Sequence, residues 1–203
     1  MSVRELAPYE GVISAVWTPR NVQTGHDSTS GAVTVLEIGT PYWEIEYEID
    51  CIDRETFDKW KMFLLRRQGR AITFITWPIL RPRPRDESVT SDAGIDLDSI
   101  SEANSTITVS GLAASQPIAK GDFFSYRTAA NGYWIGTATE AATADGSGDA
   151  TITVWPRPRA AHATVRELTR IRPVGEFRLI GEPRMPEEVG NYSIRFSARQ
   201  VIV

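Results

Sequence analysis

The segment WEIEYEIDC, residues 43–51, constrains the fold more than any other part of the chain. Its apolar residues are Trp43, Ile45, Tyr47, Ile49 and Cys51, and the acids that alternate with them are Glu44, Glu46, Glu48 and Asp50. Because successive side chains of a strand point to opposite faces, this strict period of two predicts a strand with one buried face. The other face is entirely acidic, and like charges on one face repel each other unless something compensates them.

The residues that flank this strand predict a sheet with one helix. Asp53 is suited to cap a helix over RETFDKWKMFLLRRQG, because its side chain can accept an orphan amide hydrogen of the first turn. Phe57, Trp60 and Leu64 recur at helical spacing, and Gly69 is suited to the left-handed stop. Further strands are predicted at residues 11–17, 32–38, 71–77, 163–168, 175–181 and 191–201.

The middle of the chain differs in composition from its flanks. Residues 86–160 contain ten acids and four bases, although the whole chain has a net charge of only -4. Short strand-like segments separated by turn residues occur there at 105–111, 122–126, 133–141 and 149–155. This spacing predicts a small barrel or sandwich.

The tetrapeptide PRPR occurs twice, at residues 82–85 and 156–159, near the two ends of the acidic segment. Such a segment could be a proline-rich ligand for a partner, but those ligands usually lie in disordered tails. Proline favours an extended chain, so the two copies are interpreted as the outgoing and returning crossings between two domains.

These patterns together predict a mainly β protein built as one domain inserted into another. The host is a strand-rich domain with one α-helix, and the insertion is a small β-barrel or sandwich. The predicted boundaries are 1–80 and 163–203 for the host, 86–158 for the insertion, and 81–85 and 156–162 for the linkers.

Few residues are suited to catalysis or to metal binding. The only cysteine, Cys51, excludes an internal disulfide, and as the end of an apolar strand face it is more typical of a buried thiol than of a nucleophile paired with His162. The turn at residues 145–149 begins like a calcium loop, but Ala150 and Pro156 stand where glycine and glutamate are needed. We predict no catalytic residue, no cofactor and no metal site.

Composition also bears on localisation. No apolar run is long enough to span a membrane, and the first residues lack the apolar core of a signal peptide. We therefore predict assembly in the cytoplasm without membrane insertion. The net negative charge argues against a dedicated nucleic-acid binder.

The order of elements resembles a known family. An amphipathic strand with a tryptophan precedes a helix that ends in Arg66-x-x-Gly69, then a strand, then a β insertion. The insertion carries KGDFF at residues 120–124 and ADGSGDATITVWPRPR at residues 144–159, and the chain returns through FRL at 177–179. This arrangement is similar to the distal tail protein of long-tailed bacteriophages.

The resemblance implies a structural, non-enzymatic virion protein. Its host domain would be a β-sandwich with one α-helix, called a belt in that family, and would form a ring of six copies at the distal end of the tail tube. The ring would contact the tail tube protein and the tail-tip hub with its receptor-binding apparatus, and DNA would pass through it without specific binding. A candidate contact with a neighbouring subunit or ring is the polar stretch at 19–31, a long hairpin loop or a mobile arm, with Asn21, Gln23, His26 and Asp27.

Two alternatives remain open at this stage. One is a tail tube protein, or another tail adaptor, with a decorating domain. The other is a tail-associated module that binds or hydrolyses carbohydrate, although a glycosidase needs two converging carboxylates that a sequence cannot show.

The acidic strand face has two interpretations. Arg195 and Arg199 lie on the polar face of the last predicted strand, where they could neutralise two of the four acids. Alternatively, Glu44, Glu46, Glu48 and Asp50 face the lumen of the ring, because a negative wall would not hold the phosphates of passing DNA.

Overall fold

The computed structural model describes residues 5–27, 33–51, 53–128, 132–158, 163–188 and 191–201. The helix α1 covers Arg54–Arg66, and within these ranges no helix is long and apolar enough to cross a membrane. The strands are β1 (Val12–Arg20), β2 (Gln23–Asp27), β3 (Val33–Glu37), β4 (Tyr42–Cys51), β5 (Phe74–Thr76), β6 (Asp96–Ser101), β7 (Thr106–Ser110), β8 (Pro117–Ile118), β9 (Phe123–Thr128), β10 (Tyr133–Ala138), β11 (Ala142–Thr143), β12 (Ala150–Trp155), β13 (Ala163–Thr169), β14 (Gly175–Arg184), β15 (Glu187–Glu188) and β16 (Asn191–Gln200). The prediction of a mainly β chain with one helix is confirmed.

The acidic strand β4 lies inside an antiparallel sheet that also contains the C-terminal strands. The order is β1-β4-β16-β14-β5, and β15 pairs with β16 outside this path. Every predicted inward residue of β4 is buried, including Ile45, Tyr47 and Ile49, which have no exposed surface. The strict alternation in the sequence therefore identified both the strand and the face that packs inward. This sheet and the helix α1 are called the host domain below.

The helix α1 packs on the inner face of this sheet. Its cap is as predicted, since the side chain of Asp53 accepts a hydrogen bond of 2.7 Å from the amide of Thr56. Trp60 has no exposed surface, and its ring lies 5.9 Å from that of Phe196 on β16. The helix ends at Arg66, and the left-handed conformation begins at Gln68 (φ 47°) and continues at Gly69 (φ 64°), where glycine has no steric penalty.

The inserted segment forms a closed barrel of six strands in the order β10-β12-β7-β6-β13-β9. Its interior contains a separate apolar cluster, in which Ile107, Val109 and Ile152 have no exposed surface. The rings of Tyr126 and Trp134 stack there at 4.8 Å. A small inserted β-barrel was predicted, and the structure confirms it.

The returning crossing is not where the sequence placed it. Strand β13 pairs with β6 and β9, so it closes the barrel instead of joining the host sheet. The prediction that 156–162 form the returning linker and that 163–168 belong to the host domain is therefore wrong. The physical reason is that a barrel without β13 would leave two strand edges unpaired.

The chain leaves the host domain through the first PRPR copy and returns through residues 170–174. The two crossings touch each other, because the amide of Arg172 donates a 2.7 Å hydrogen bond to the carbonyl of Pro82. Asp92 fixes the return, since its carboxylate accepts from the amides of Arg170 and Ile171 at 2.9 and 2.7 Å. These crossings are tightly held segments and not free linkers.

A buried junction joins the barrel to the host domain. Ile135 of β10 has no exposed surface and belongs to the apolar cluster of the host domain. Trp155 of β12 lies edge-on to Trp43 at 4.5 Å. Gln200 links the two sides, because it accepts from the amide of Trp43 and donates to the carbonyl of Ile135, both at 3.1 Å.

Candidate functional site

The predicted polar arm is a two-stranded hairpin formed by β2 and β3. The strands pair from Gln23 opposite Glu37 to Asp27 opposite Val33, apart from the rest of the sheets. Asn21 lies exposed between β1 and β2, and Gln23 is exposed as well. His26 and Asp27 lie on β2 opposite Thr34 and Val33, and the positions of their side chains fall outside the described part of the chain.

The apolar residues of the hairpin are its most unusual feature. Val35 and Leu36 are 57% and 61% exposed, and Ile38 just beyond the strand is 62% exposed. Adjacent residues of a strand point to opposite faces, so neither face of the hairpin is covered at these positions. A lone two-stranded hairpin is at best marginally stable in water, which makes a partner for these faces physically reasonable.

The base of the hairpin is anchored to the molecule. The amides of Ile38 and Gly39 both donate to the carbonyl of Val22, at 2.9 and 3.2 Å. Arg157, from the second PRPR copy, forms a 3.6 Å ion pair with Glu37 at the end of β3. The hairpin therefore leaves the host domain at a defined place, next to the barrel.

The sequence interpretation chose polar residues of the arm and missed Val35, Leu36 and Ile38. The signal was present in AVTVLEI at 32–38, where apolar residues do not alternate with polar ones. Such a run is typical of a strand that is covered on both faces. In the isolated chain nothing among the described residues covers it.

Further exposed apolar side chains lie on the host domain. Ile13, at a bulge in β1, is 59% exposed, and Val16, opposite Glu46, is 50% exposed. Single exposed apolar residues are ordinary on protein surfaces. The large ones among the described residues are nevertheless confined to the first part of the chain: Leu6, Tyr9, Ile13, Val16, Val35, Leu36, Ile38, Met62, Leu65 and Leu80.

The four acids of β4 lie on the outer face of the host sheet, as predicted. Glu48 stands opposite Arg195 on β16 and forms an ion pair with it. Glu44 stands opposite Arg199, but both of its carboxylate oxygens accept from Arg20 of β1 at 3.0 Å. The side-chain hydrogen bond to Glu44 raises the pKa of Arg20 above its ordinary value.

The other two acids have no cation opposite them. Glu46 is flanked by Val16 and Ser197, and Asp50 stands opposite Ser193. Both side chains are exposed. Neutralisation by neighbouring strands therefore accounts for Glu44 and Glu48 only.

The outer face as a whole is not a negative surface. Across β16 and β14, Arg199 stands opposite Arg178, and Arg195 stands opposite Arg184. The acids thus form one column with Arg20 on one side and four arginines on the other. This arrangement weakens the case for a uniformly negative lumen wall on this face.

Among the described residues, three depressions lie at the junction with the barrel or on the outer face of the host sheet. One, of about 410 Å³, lies at the junction with the barrel and is lined by Trp17, Trp43 and Phe123. The others, of about 190 and 370 Å³, share Tyr42, Arg178 and Arg199 on the outer face of the sheet.

The residues considered for catalysis form no site in the described part of the chain. Burial is the main cause of a raised pKa for the Cys51 thiol, which disfavours the thiolate needed for attack, and His162 lies outside the described residues. Asp145 accepts from the amides of Ser147 and Asp149 at 2.9 and 3.0 Å, so it closes a turn. The described residues include no cluster of three or more His, Cys, Asp or Glu that could hold a metal ion.

No protein-family model matches the chain, and no curated protein matches it significantly.

Proposed function

We propose that this chain is a structural virion protein that forms a ring at the distal end of a phage tail tube. The ring joins the tube to the tail-tip hub and the receptor-binding apparatus, and six copies of the host domain build it. The phage assignment rests on the resemblance in the order of elements. The assembly role has support from the geometry as well.

The observation that carries the assembly role is the uneven exposure of apolar side chains. The hairpin presents Val35, Leu36 and Ile38 to solvent, whereas the described barrel residues contribute no large apolar side chain to the exposed set. Apolar area that would be lost from water contributes about 25 cal/mol per Å². A host domain with this surface is stabilised by association with further copies.

A ring provides such a cover. Permanent interfaces bury on the order of 2,000 Å² or more, which is more than a hairpin alone supplies. The apolar outer edge of β1, with Ile13 and Val16, offers a second surface on the same domain. In the proposed ring, the hairpin of one copy packs against the host domain of the next.

That the acids of β4 face the lumen of the ring stays a prediction, and it now rests on two of the four acids. Glu44 and Glu48 have arginine partners, which explain their charges. The proposed role in the passage of DNA therefore concerns Glu46 and Asp50. A test is to change Glu46 and Asp50 to lysine and compare the rate of DNA delivery with that of the glutamine and asparagine variants.

The experiment that tests the proposed function is a copy-number measurement on particles that contain this chain. Quantitative mass spectrometry should give about six copies per particle, and gold-labelled antibody should mark the tail tip. Many more copies, distributed along the tail, would instead identify a tube protein. Absence from the particle would refute the proposal.

A second candidate, a tail-associated carbohydrate-binding module, is favoured by the junction cavity. Trp17 and Phe123 line this cavity and are partly exposed, so they provide aromatic surface on which the apolar face of a sugar ring could stack. Binding to host envelope polysaccharide that is lost in Trp17→Ala would support this candidate. Unchanged binding in that variant would exclude the cavity as the carbohydrate-binding site.

A further inference from the structure

We propose that Arg70, Arg178 and Arg199 form a binding site for a phosphate group on the outer face of the host sheet. This inference does not depend on the proposed function. It rests on the arrangement of charge around one small cavity.

The first observation is a pair of like charges in register. Arg178 on β14 stands directly opposite Arg199 on β16, so the two side chains leave the same face of the sheet. Side chains directly opposite each other lie about 5 Å apart at Cβ, and like charges in that position are destabilising. The pair is therefore unfavourable unless an anion lies between or beside the two guanidinium groups.

The second observation is that the local acid is already engaged. Glu44 is in register with Arg199 and lines the same cavity, but each of its carboxylate oxygens accepts from Arg20 at 3.0 Å. Within the described residues, no ion pair is formed by Arg70, Arg178 or Arg199.

The third observation concerns a hydrogen-bond donor. The Nε of Arg178 is buried and has no acceptor among the described residues. A buried cationic donor without an acceptor costs free energy, since it has lost water and gained nothing in return. An oxyanion that enters the cavity would supply the acceptor.

The cavity fits this ligand class. Its volume is about 190 Å³, and Arg70, which follows the end of α1, reaches it from outside the sheet together with Arg178 and Arg199. Guanidinium groups bind phosphate in bidentate geometry. A doubly charged phosphate neutralises more of this cluster than a single carboxylate could, which favours phosphate as the ligand.

The source of the phosphate is either a free phosphate compound or the phosphodiester backbone of a nucleic acid. Both present phosphate oxygens to the arginines, although a phosphodiester carries a single negative charge and a free phosphate compound carries more. The experiment therefore uses inorganic pyrophosphate as one probe and a short single-stranded oligonucleotide as the other.

The experiment measures binding to the full chain by calorimetry at constant ionic strength. Wild type should bind pyrophosphate saturably, and Arg199→Gln and Arg178→Gln should each weaken the affinity at least tenfold. The matched control is Arg184→Gln, an exposed arginine on the same face that lines neither cavity, and it should bind like wild type. If the oligonucleotide competes with pyrophosphate and shows the same dependence on Arg199, the source is a phosphodiester; if it does not compete, the source is a free phosphate compound.

A second measurement does not require a ligand. In low-salt buffer without phosphate, Arg199→Gln should raise the melting temperature, because it removes the repulsion with Arg178. Absence of saturable binding to either probe would overturn the proposal. Equal weakening by Arg184→Gln and Arg199→Gln would also overturn it, because the effect would then belong to general surface charge.

Discussion

The host domain and the inserted barrel bury their interiors equally well, but they differ at the surface. Each has its own apolar cluster of fully buried side chains. The host domain and its hairpin nevertheless expose large apolar residues such as Leu36 and Ile38, whereas the described residues of the barrel strands expose none. In the proposed ring, this difference assigns the contacts between copies to the host domain and its hairpin and leaves the barrel outside them.

The largest expected effect comes from separating the two regions at their true crossings. A barrel of residues 83–171 should fold alone, unfold cooperatively and remain monomeric, because Pro82 and Arg172 lie within hydrogen-bonding distance. The complementary host chain should be far less stable, since it loses Ile135 and Trp155 from its junction. Circular dichroism during heating, together with sedimentation, measures both.

If the isolated barrel showed no cooperative unfolding transition, the claim that it folds independently of the host domain would be wrong. A control barrel of residues 86–158, the boundaries expected from the sequence, lacks β13, so its strands β6 and β9 lose their shared partner and it should fold less well.

A core substitution in the host domain should have the next largest effect. Trp60→Ala removes a ring with no exposed surface and should lower the free energy of unfolding by about 3–5 kcal/mol. Met62→Ala on the same helix is the matched control, since Met62 is exposed and should change stability by less than about 0.5 kcal/mol. Denaturant unfolding compares the two, and similar losses would show that α1 is not packed as described.

The crossing between the regions should be sensitive to Asp92. Asp92→Ala leaves Arg170, which is 4% exposed, without its carboxylate partner and also frees two backbone amides. Breaking a buried ion pair in this way costs about 3 kcal/mol. The double variant Asp92→Ala with Arg170→Met should recover part of this loss, and no recovery would indicate that the backbone contacts dominate.

The smallest predicted effect is at the helix cap. A hydrogen bond from the backbone of Thr56 lowers the pKa of Asp53, so the ionised carboxylate stabilises the folded chain. That stability is present above the ordinary aspartate pKa and is lost as the pH falls through the lowered value. Asp53→Ala should therefore be slightly less stable than wild type at pH 7, and the difference should be smaller at a pH below the ordinary aspartate pKa. A difference of equal size at both pH values would contradict this assignment.

Local patterns predicted the elements well because each depends on neighbouring residues. The alternation in residues 43–51 identified β4, and Asp53 identified the start of α1; Gly69 predicted its end only approximately, because the helix ends at Arg66. The crossings could not be placed in this way. Whether β13 joins the host sheet or the barrel depends on which strand edges are free in three dimensions, and composition around the second PRPR copy pointed to the wrong place.

The candidate site was predicted only in part. The outward acids and the partner Arg195 of Glu48 follow from strand alternation. Arg20 as the partner of Glu44, and the register that places Arg178 opposite Arg199, depend on pairing between distant segments. The exposed Leu36 and Ile38 were not predicted, because the contact was assigned to the polar residues of the preceding loop. The lack of alternation in residues 32–38 was the signal for them.

The measurement that tests the central claim most directly is the mass of the full chain in solution, compared with that of a hairpin variant. Leu36→Ser combined with Ile38→Ser changes two exposed side chains, so the melting temperature of the dilute chain should stay the same. Sedimentation equilibrium should show a concentration-dependent assembly toward six copies for wild type and a large loss of assembly for the variant. The matched control, Thr151→Ser on the exposed side of the barrel strand β12, should assemble like wild type. A wild-type chain that stays monomeric at every concentration, or a hairpin variant that assembles as wild type does, would contradict the account.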